Sequence, residues 1–403
     1  MRLVAAVAIS TIGGVGMWSV VVALPAVQAE FGVHRGDAAL PYTLVMMGLV
    51  VGGVAMGRLA DRFGIVLPAA IGAVALGLGY VGAAFAESIW QFALVHGLLI
   101  GLLGTSATFG PVIADISLWF VRRRGAAVAI VACGSYLAGA SWPPVIHHFV
   151  ETVGWRQTHI GIGIFCAVTL LPLAFAMRRR APVLRAAAPQ AAASAGRGTL
   201  AGFPPLALQA LLMLAGLACC VAMSMPQVHI VAYCGDLGYG TGRGAEMLSL
   251  MLGAGVVSRL VFGWVADRIG AVPTLLIGSA LQALSLLLFL PFDGLGALYL
   301  LSTLFGLFQG GIVPAYAMIV RENFPAGQVG TRVNLVLSST LAGMALGGWL
   351  SGAIFDLTLS YEAAFLNGFL WNLANLAIVA VLLRHWLRRG PATGVAHASS
   401  GSA

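Results

Sequence analysis

There is no lysine in this 403-residue chain; all 21 of its basic residues are arginine. That absence removes every chemistry that begins from a lysine amine. Charge of either sign is scarce, 8% of residues, where a soluble domain carries roughly 25%. A water-soluble fold is excluded on that ground. The five cysteines (Cys133, Cys166, Cys219, Cys220 and Cys234) lie in or beside apolar segments without metal-ligand spacing. Adjacent Cys219 and Cys220 point to different helix faces, so all five read as packing residues, and neither a metal nor a cofactor is expected. No nucleophile–base constellation can be assembled, which argues against an enzyme. The glycine-rich segments lie inside apolar runs and follow no strand, so a phosphate-binding loop is not indicated.

What the chain does have is apolar length. Sixty per cent of residues are apolar and the mean hydropathy is +0.97. Each membrane span needs about 20 residues, and twelve such runs can be drawn. They lie at 3–27, 38–57, 66–86, 90–118, 125–149, 159–177, 204–231, 243–263, 271–291, 295–319, 332–355 and 363–384. Residues 178–203 form one long linker, an arginine cluster followed by Ala/Pro/Ser/Gly-rich sequence, expected to be a flexible strap. The tail at 387–403 is small and polar and is expected to be disordered. The expected organisation is an N-terminal six-helix bundle (1–177), the linker, a C-terminal six-helix bundle (204–386) and the tail.

Two octapeptides half a chain apart support that division. Gly57-Arg58-Leu59-Ala60-Asp61-Arg62-Phe63-Gly64 and Gly263-Trp264-Val265-Ala266-Asp267-Arg268-Ile269-Gly270 agree at five of eight positions. Each is read as the short loop after the second helix of a repeat. Pro25 and Pro226, and Pro111 and Pro314, recur at nearly the same offset. Duplicated bundles in a membrane are the usual architecture of transporters. A cleavable signal peptide competes at the N-terminus, with Val27-Gln28-Ala29 as its cleavage site. Cleavage would delete the partner of the Pro226 helix, so the first run is kept as a span.

The formal charge of +8 follows topology rather than a nucleic-acid surface. Arg2, Arg58, Arg62, Arg122–Arg124, Arg178–Arg180, Arg185, Arg197, Arg268, Arg321, Arg332, Arg384, Arg388 and Arg389 fall on one side. Only Arg35, Arg156 and Arg243 fall on the other, among Glu30, Asp37, Glu87, Glu151, Asp236, Asp293, Asp356 and Glu362. The positive-inside rule then places both termini and the central linker in the cytoplasm, and the expected location is an inner (plasma) membrane. Glycine, 53 residues and mostly within spans, suits close helix approach in lipid, notably at Gly97, Gly101, Gly104, Gly134 and Gly139.

The repeated Gly-x-x-x-Asp-Arg-x-Gly, with twelve spans and a central linker, resembles the major facilitator superfamily signature over nearly the whole chain. The resemblance implies an all-α membrane protein, with twelve transmembrane helices in two pseudo-symmetric bundles. Phe31-Gly32-Val33-His34-Arg35, Trp119-Phe120 before Arg122-Arg123-Arg124-Gly125, Pro143-Pro144 and Arg259 resemble the branch of monocarboxylate transporters and oxalate–formate antiporters. That branch implies a small carboxylate as cargo, moved with a proton or by exchange. The fourth span lacks the arginine of many drug/proton antiporters, and the fifth lacks their Gly-Pro-x-x-Gly-Gly. Animal monocarboxylate transporters use a first-helix lysine and an aspartate one turn before the arginine; here there is no lysine and that position is Gly255.

Arg259 stands out without any resemblance. It lies eight residues before Asp267, hence about 12 Å from the loop at 1.5 Å per residue, near mid-membrane. A guanidinium there costs about 3 kcal/mol or more, so it needs a cavity or a partner. No acid lies at that depth; Asp115 is nearer the end of its span. An anionic substrate on the planar fork is one solution; pairing with backbone carbonyls or Asp115 is the structural alternative. By analogy with the branch, Gln309 and Tyr316, which flank Gly310-Gly311 and Pro314, face the same cavity with Phe109, and Asn334 adds hydrogen bonds. Interhelical packing explains such residues equally well.

Gly57, Asp61, Arg62 and Gly263, Asp267, Arg268 are the expected gating residues. In the family pattern each aspartate approaches a helix start in the opposite half, here near Thr331–Arg332 and near Gly125, latching the cytoplasmic gate when the outer side is open. A solvated loop charge is the bland alternative. His229, beyond the kink at Pro226, is a candidate for proton coupling, with a hydrogen-bonded structural histidine as its rival. The expectation is a secondary transporter working as a monomer in the lipid bilayer, with a small-molecule partner and no nucleic acid. Efflux of an amphiphilic drug or metabolite is the alternative, and a transport-inactive membrane sensor the reading from another class.

Overall fold

A computed structural model of the chain describes residues 1–120, 124–179, 200 and 203–389. Among the described residues, twelve helices are long and apolar enough to cross a membrane. They are α1 (Arg2–Phe31), α2 (Arg35–Phe63), α3 (Val66–Ala84), α4 (Ile89–Trp119), α5 (Ala126–Val153), α6 (Trp155–Ala176), α7 (Pro205–Asp236), α8 (Thr241–Ile269), α9 (Ala271–Leu288), α10 (Leu295–Asn323), α11 (Gly327–Thr358) and α12 (Tyr361–Arg388). Most of the proposed linker and tail lie outside the described residues. In hydrocarbon only a helix satisfies its own backbone, which is why every apolar run takes this form. Leu78, Ile164, Val168, Leu260 and Leu370 are exposed and point outward, where lipid solvates them.

One expectation is corrected. The octapeptides are not loops: α2 continues to Phe63 and α8 to Ile269. Apolar character ends where the membrane does, but the helix continues until a residue leaves αR. Gly64 (φ +85°) and Gly270 (φ +93°) do that, in a region that side chains with a Cβ avoid.

The halves are packed by glycine at matching places. A Cβ on Gly48 would lie 2.5 Å from the Gly97 carbonyl oxygen, and one on Gly101 would lie 2.7 Å from that of Val45. This brings α2 and α4 backbone to backbone. In the second half α8 and α10 meet in the same way, with Gly306 against the Met251 carbonyl and Gly310 2.4 Å from that of Gly255. The fourth helix of each half is irregular at mid-depth: α4 is π-helical over His96–Thr105, and α10 breaks between Gln309 and Ile312. α5 breaks at Cys133, between segments Arg124–Ala132 and Gly134–Val153.

Contacts between the halves are unequal at the two ends. At the end away from the termini, α2 lies against α11, where Gly352 and Gly36 touch, and Thr43 Oγ1 donates to the Ala345 carbonyl (3.0 Å). α5 meets α8 through His147 and Thr241 (2.9 Å) and through Gly139 and Leu252. Toward the end where α1 begins and α12 finishes, the deepest hydrogen bond between halves is that of Arg259. Beyond it no hydrogen bond or ion pair joins the halves among the described residues. Phe63, Leu118 and Leu335 are exposed there. Among the described residues, the hydrogen bonds and ion pairs that join the halves therefore gather at the far end.

Candidate functional site

Arg259 of α8 faces α5 of the opposite half. The break in α5 frees the Ala132 carbonyl, which accepts from Ser135 Oγ (3.3 Å) and from Arg259 Nη1 (2.8 Å). The guanidinium carbon lies 4.1 Å from the centroid of the Tyr136 ring, a stacking distance for a cation on an aromatic face. Tyr136 fits because position 255 has no side chain: a Cβ on Gly255 would lie 2.2 Å from Tyr136 Cε1. The slot left without an acid one turn before the arginine is therefore filled by an aromatic ring of the opposite half. Arg259 Nε is sealed without a partner. Arg259 Nη2 and the Tyr136 hydroxyl have no hydrogen bond among the described residues, and neither is sealed.

No carboxylate pairs with Arg259 among the described residues. Asp115 is occupied by Arg2, whose Nε and Nη2 reach it at 2.9 and 2.8 Å while Nη1 holds the Arg179 carbonyl (2.7 Å). Of the two structural alternatives for Arg259, the backbone carbonyl is present and Asp115 is not.

The other candidates scatter. Gln309 is fully buried and accepts from Gln227 Nε2 (2.8 Å), although Gly310, its neighbour, packs on the Arg259 helix at Ser258. The Tyr316 hydroxyl donates to Asn375 (2.7 Å), within a buried amide cluster of α9, α10 and α12 that includes Ser279 and Asn372. Phe109 is half-buried on α4, and Asn334 is exposed on the first turns of α11. In this conformation Arg259 therefore meets Ala132 and Tyr136 rather than these four. Asp61, Arg62, Asp267 and Arg268 are exposed, and neither aspartate has a hydrogen bond or ion pair among the described residues. Gly57 and Gly263 face open space. The expected docking of Asp61 on α11 and Asp267 on α5 is not made in this state.

Its chemistry appears at the opposite end. The Asp356 carboxylate of α11 accepts from the Arg35 and Gly36 backbone amides, both at 2.7 Å, capping the start of α2 from the other half. The Arg35 side chain forks onto Asp236 (3.0 and 3.2 Å), donates to the Tyr361 hydroxyl (2.6 Å) and lies 4.6 Å over the Phe355 ring. Because that hydroxyl oxygen accepts from Arg35, its proton is free for His229 Nδ1, 3.2 Å away, while His229 Nε2 donates to the Gly348 carbonyl (2.8 Å). His229 is fully buried, in one fixed tautomer, at the inner edge of this latch. Sequence reasoning missed the latch, though a signal existed. The three arginines that broke the charge asymmetry each pair with an acid: Arg35 with Asp236, Arg156 with Glu30 and Arg243 with Glu246. Nothing in the sequence pointed to Tyr136.

The family model of the Major Facilitator Superfamily matches residues 6–258 and 244–401, which is nearly all of the chain. The chain belongs to the Major Facilitator Superfamily. Its fold and family are those of transporters rather than enzymes, and it is a multi-pass membrane protein. Human monocarboxylate transporter 11 is 30% identical over 325 residues, covering 76% of this chain and 66% of that one. The local motifs of this chain resemble the branch to which that relative's name belongs. The agnestins efflux protein AgnL12 of Paecilomyces divaricatus is 24% identical over 299 residues, 74% of this chain and 67% of that one. Among solved structures, a point mutant of the nucleoside transporter NupG superposes with a TM-score of 0.72 at 14% identity, covering 96% of this chain and 100% of that one. At that identity the likeness speaks for the fold alone.

Proposed function

We propose that this transporter moves a small organic anion, a monocarboxylate, across the inner membrane by alternating access, with a proton or in exchange for another anion. The observation that carries the proposal is Arg259: a cation inside a helix long enough to span a membrane, without a carboxylate partner among the described residues, and with one Nη open beside the opposite half. An unpaired charge inside a span is expensive unless it has a task, and an anion held by a guanidinium is the simplest one. By analogy with the branch, Phe109, Asn334, Gln309 and Tyr316 are the further substrate-facing candidates in this reading, although in this conformation Gln309 and Tyr316 are engaged by Gln227 and Asn375.

The halves 1–177 and 204–386 rock as units. The arginine-rich end faces the cytoplasm, so the present state is open inward, and the protein acts as a monomer. When the far end opens, the helix starts on the cytoplasmic side come within reach of Asp61 and Asp267. The Asp356 cap on α2 supports this exchange of latches, because it uses the same carboxylate-to-amide chemistry. His229 links the far latch to a proton. A proton arriving at Nδ1 turns an acceptor into a donor, breaks the Tyr361 link and places a second cation beside Arg35.

Reconstituted protein taking up radiolabelled monocarboxylates tests the proposal. Arg259→Gln should abolish uptake while leaving the purified protein folded; undiminished uptake would sink it. A second reading, efflux of an amphiphilic metabolite, draws support from the efflux relative. It gains if neutral or cationic amphiphiles, and no acids, compete for the site.

A further inference from the structure

The guanidinium alone is a poor anion site in this conformation. Its Nε is sealed, its Nη1 is spent on the Ala132 carbonyl and one of its faces is covered by a ring, so only Nη2 is offered. A carboxylate held by a single N–H is weakly oriented, because the strength of the fork comes from two parallel donors. A second donor has to come from a neighbour, and the chain has no lysine to supply one. The group fixed beside the guanidinium is Tyr136. Its ring is pinned between the bare backbone of Gly255 and the Arg259 cation, its residue is only 9% exposed, and its hydroxyl has no hydrogen-bond partner among the described residues.

We propose that Tyr136 is the second binding residue of the anion site. It donates its O–H to the carboxylate that Arg259 holds through Nη2. This inference rests on the anion reading of Arg259 and deepens it in two respects. The site is shared: one donor comes from α5 of the first half and the other from α8 of the second. It is complete only while Tyr136 lies on Gly255, and a motion that parts α5 from α8 there separates the donors and releases the anion. The two donors are also locked in one stack, which fits a single carboxylate and selects small acids. A neutral amide would leave Arg259 unpaired.

Titrating the purified full-length protein with pyruvate and with oxalate, and following its melting midpoint, tests this. Tyr136→Phe keeps the ring, so the acid-free midpoint should not move, while affinity for the acid that binds should fall about tenfold, the loss of one hydrogen bond to a charged group. Gly255→Ala drives the ring aside without touching a donor and should weaken the same acid. Arg259→Gln should abolish the response. If Tyr136→Phe binds as wild type does while Arg259→Gln does not, the Tyr136 inference falls and the anion reading stands. If Arg259→Gln also binds as wild type does, both fall. Wild-type protein that responds to neither acid would remove the anion site for these acids and the role of Tyr136 with it.

Discussion

Arg35 and Arg259 are both buried or half-buried arginines that bridge the two halves, and both leave Nε sealed without a partner. They differ in what fills the rest of the guanidinium. Arg35 is forked onto Asp236, bonded to Tyr361 and stacked on Phe355, and its own amide is capped by Asp356. Arg259 has one carbonyl, one ring and an open Nη2. An arginine whose charge is answered within the protein is a fastening. One left unanswered inside a membrane-length helix is the proposed place for an anion to bind. The same contrast runs through the whole molecule: acids gather at the far end and pair with its three arginines, whereas Asp61 and Asp267 stand exposed at the other.

Removing either arginine should break this comparison in a different way. The largest effect is expected at Arg259. Arg259→Gln should lower acid affinity about 100-fold, since a charge-assisted pair is lost, with little change in the melting midpoint of the acid-free protein. Arg35→Gln should do the reverse. Breaking a largely buried pair costs about 2 kcal/mol after discounting the exposure of Asp236, and it loosens the far end. With cysteines placed at Thr43 and Ala345, which touch in the closed state, oxidative cross-linking should fall severalfold in the Arg35→Gln background. Unchanged cross-linking would show that Arg35 does not hold that end shut.

Smaller changes sharpen the contrast. Tyr361→Phe removes the hydroxyl that joins Arg35 to His229 and should cost about 1 kcal/mol of stability, read as a lowered melting midpoint. It should also flatten the pH dependence of uptake if His229 senses the latch. Smallest in stability are Asp61→Asn and Asp267→Asn, expected to stay within about 0.5 kcal/mol of wild type because neither carboxylate is engaged here. Uptake should nevertheless fall, since both are proposed to latch the opposite state. A large loss of stability would mean that these aspartates already hold the structure together.

Much of this architecture was legible in the residues. The repeated octapeptide and the twelve apolar runs gave the bundle and its pseudo-symmetry, and the place of Arg259 eight residues before Asp267 put it inside the eighth helix. The helix ends were less legible, because apolar content marks the membrane surface while a glycine with positive φ marks the end of a helix. Gly255 was visible as a missing acid. Which residue fills its place depends on the approach of α5 from the other half and on a break at Cys133 that no proline announces. The far-end latch left a trace as three arginines on the wrong side of the charge asymmetry. Their partners lie as far away in sequence as Asp236, which only tertiary packing reveals. Gln309 and Tyr316 lie in polar, glycine-broken sequence, but bonds to Gln227 and Asn375 engage them within their own half.

The most direct test of the central claim is the melting midpoint of purified protein across a panel of mono- and dicarboxylates, with Arg259→Gln measured alongside. The account predicts a shift with at least one small monocarboxylate in the wild type and none in the variant. A wild type that no acid stabilises, or a variant stabilised as strongly as the wild type, would contradict it.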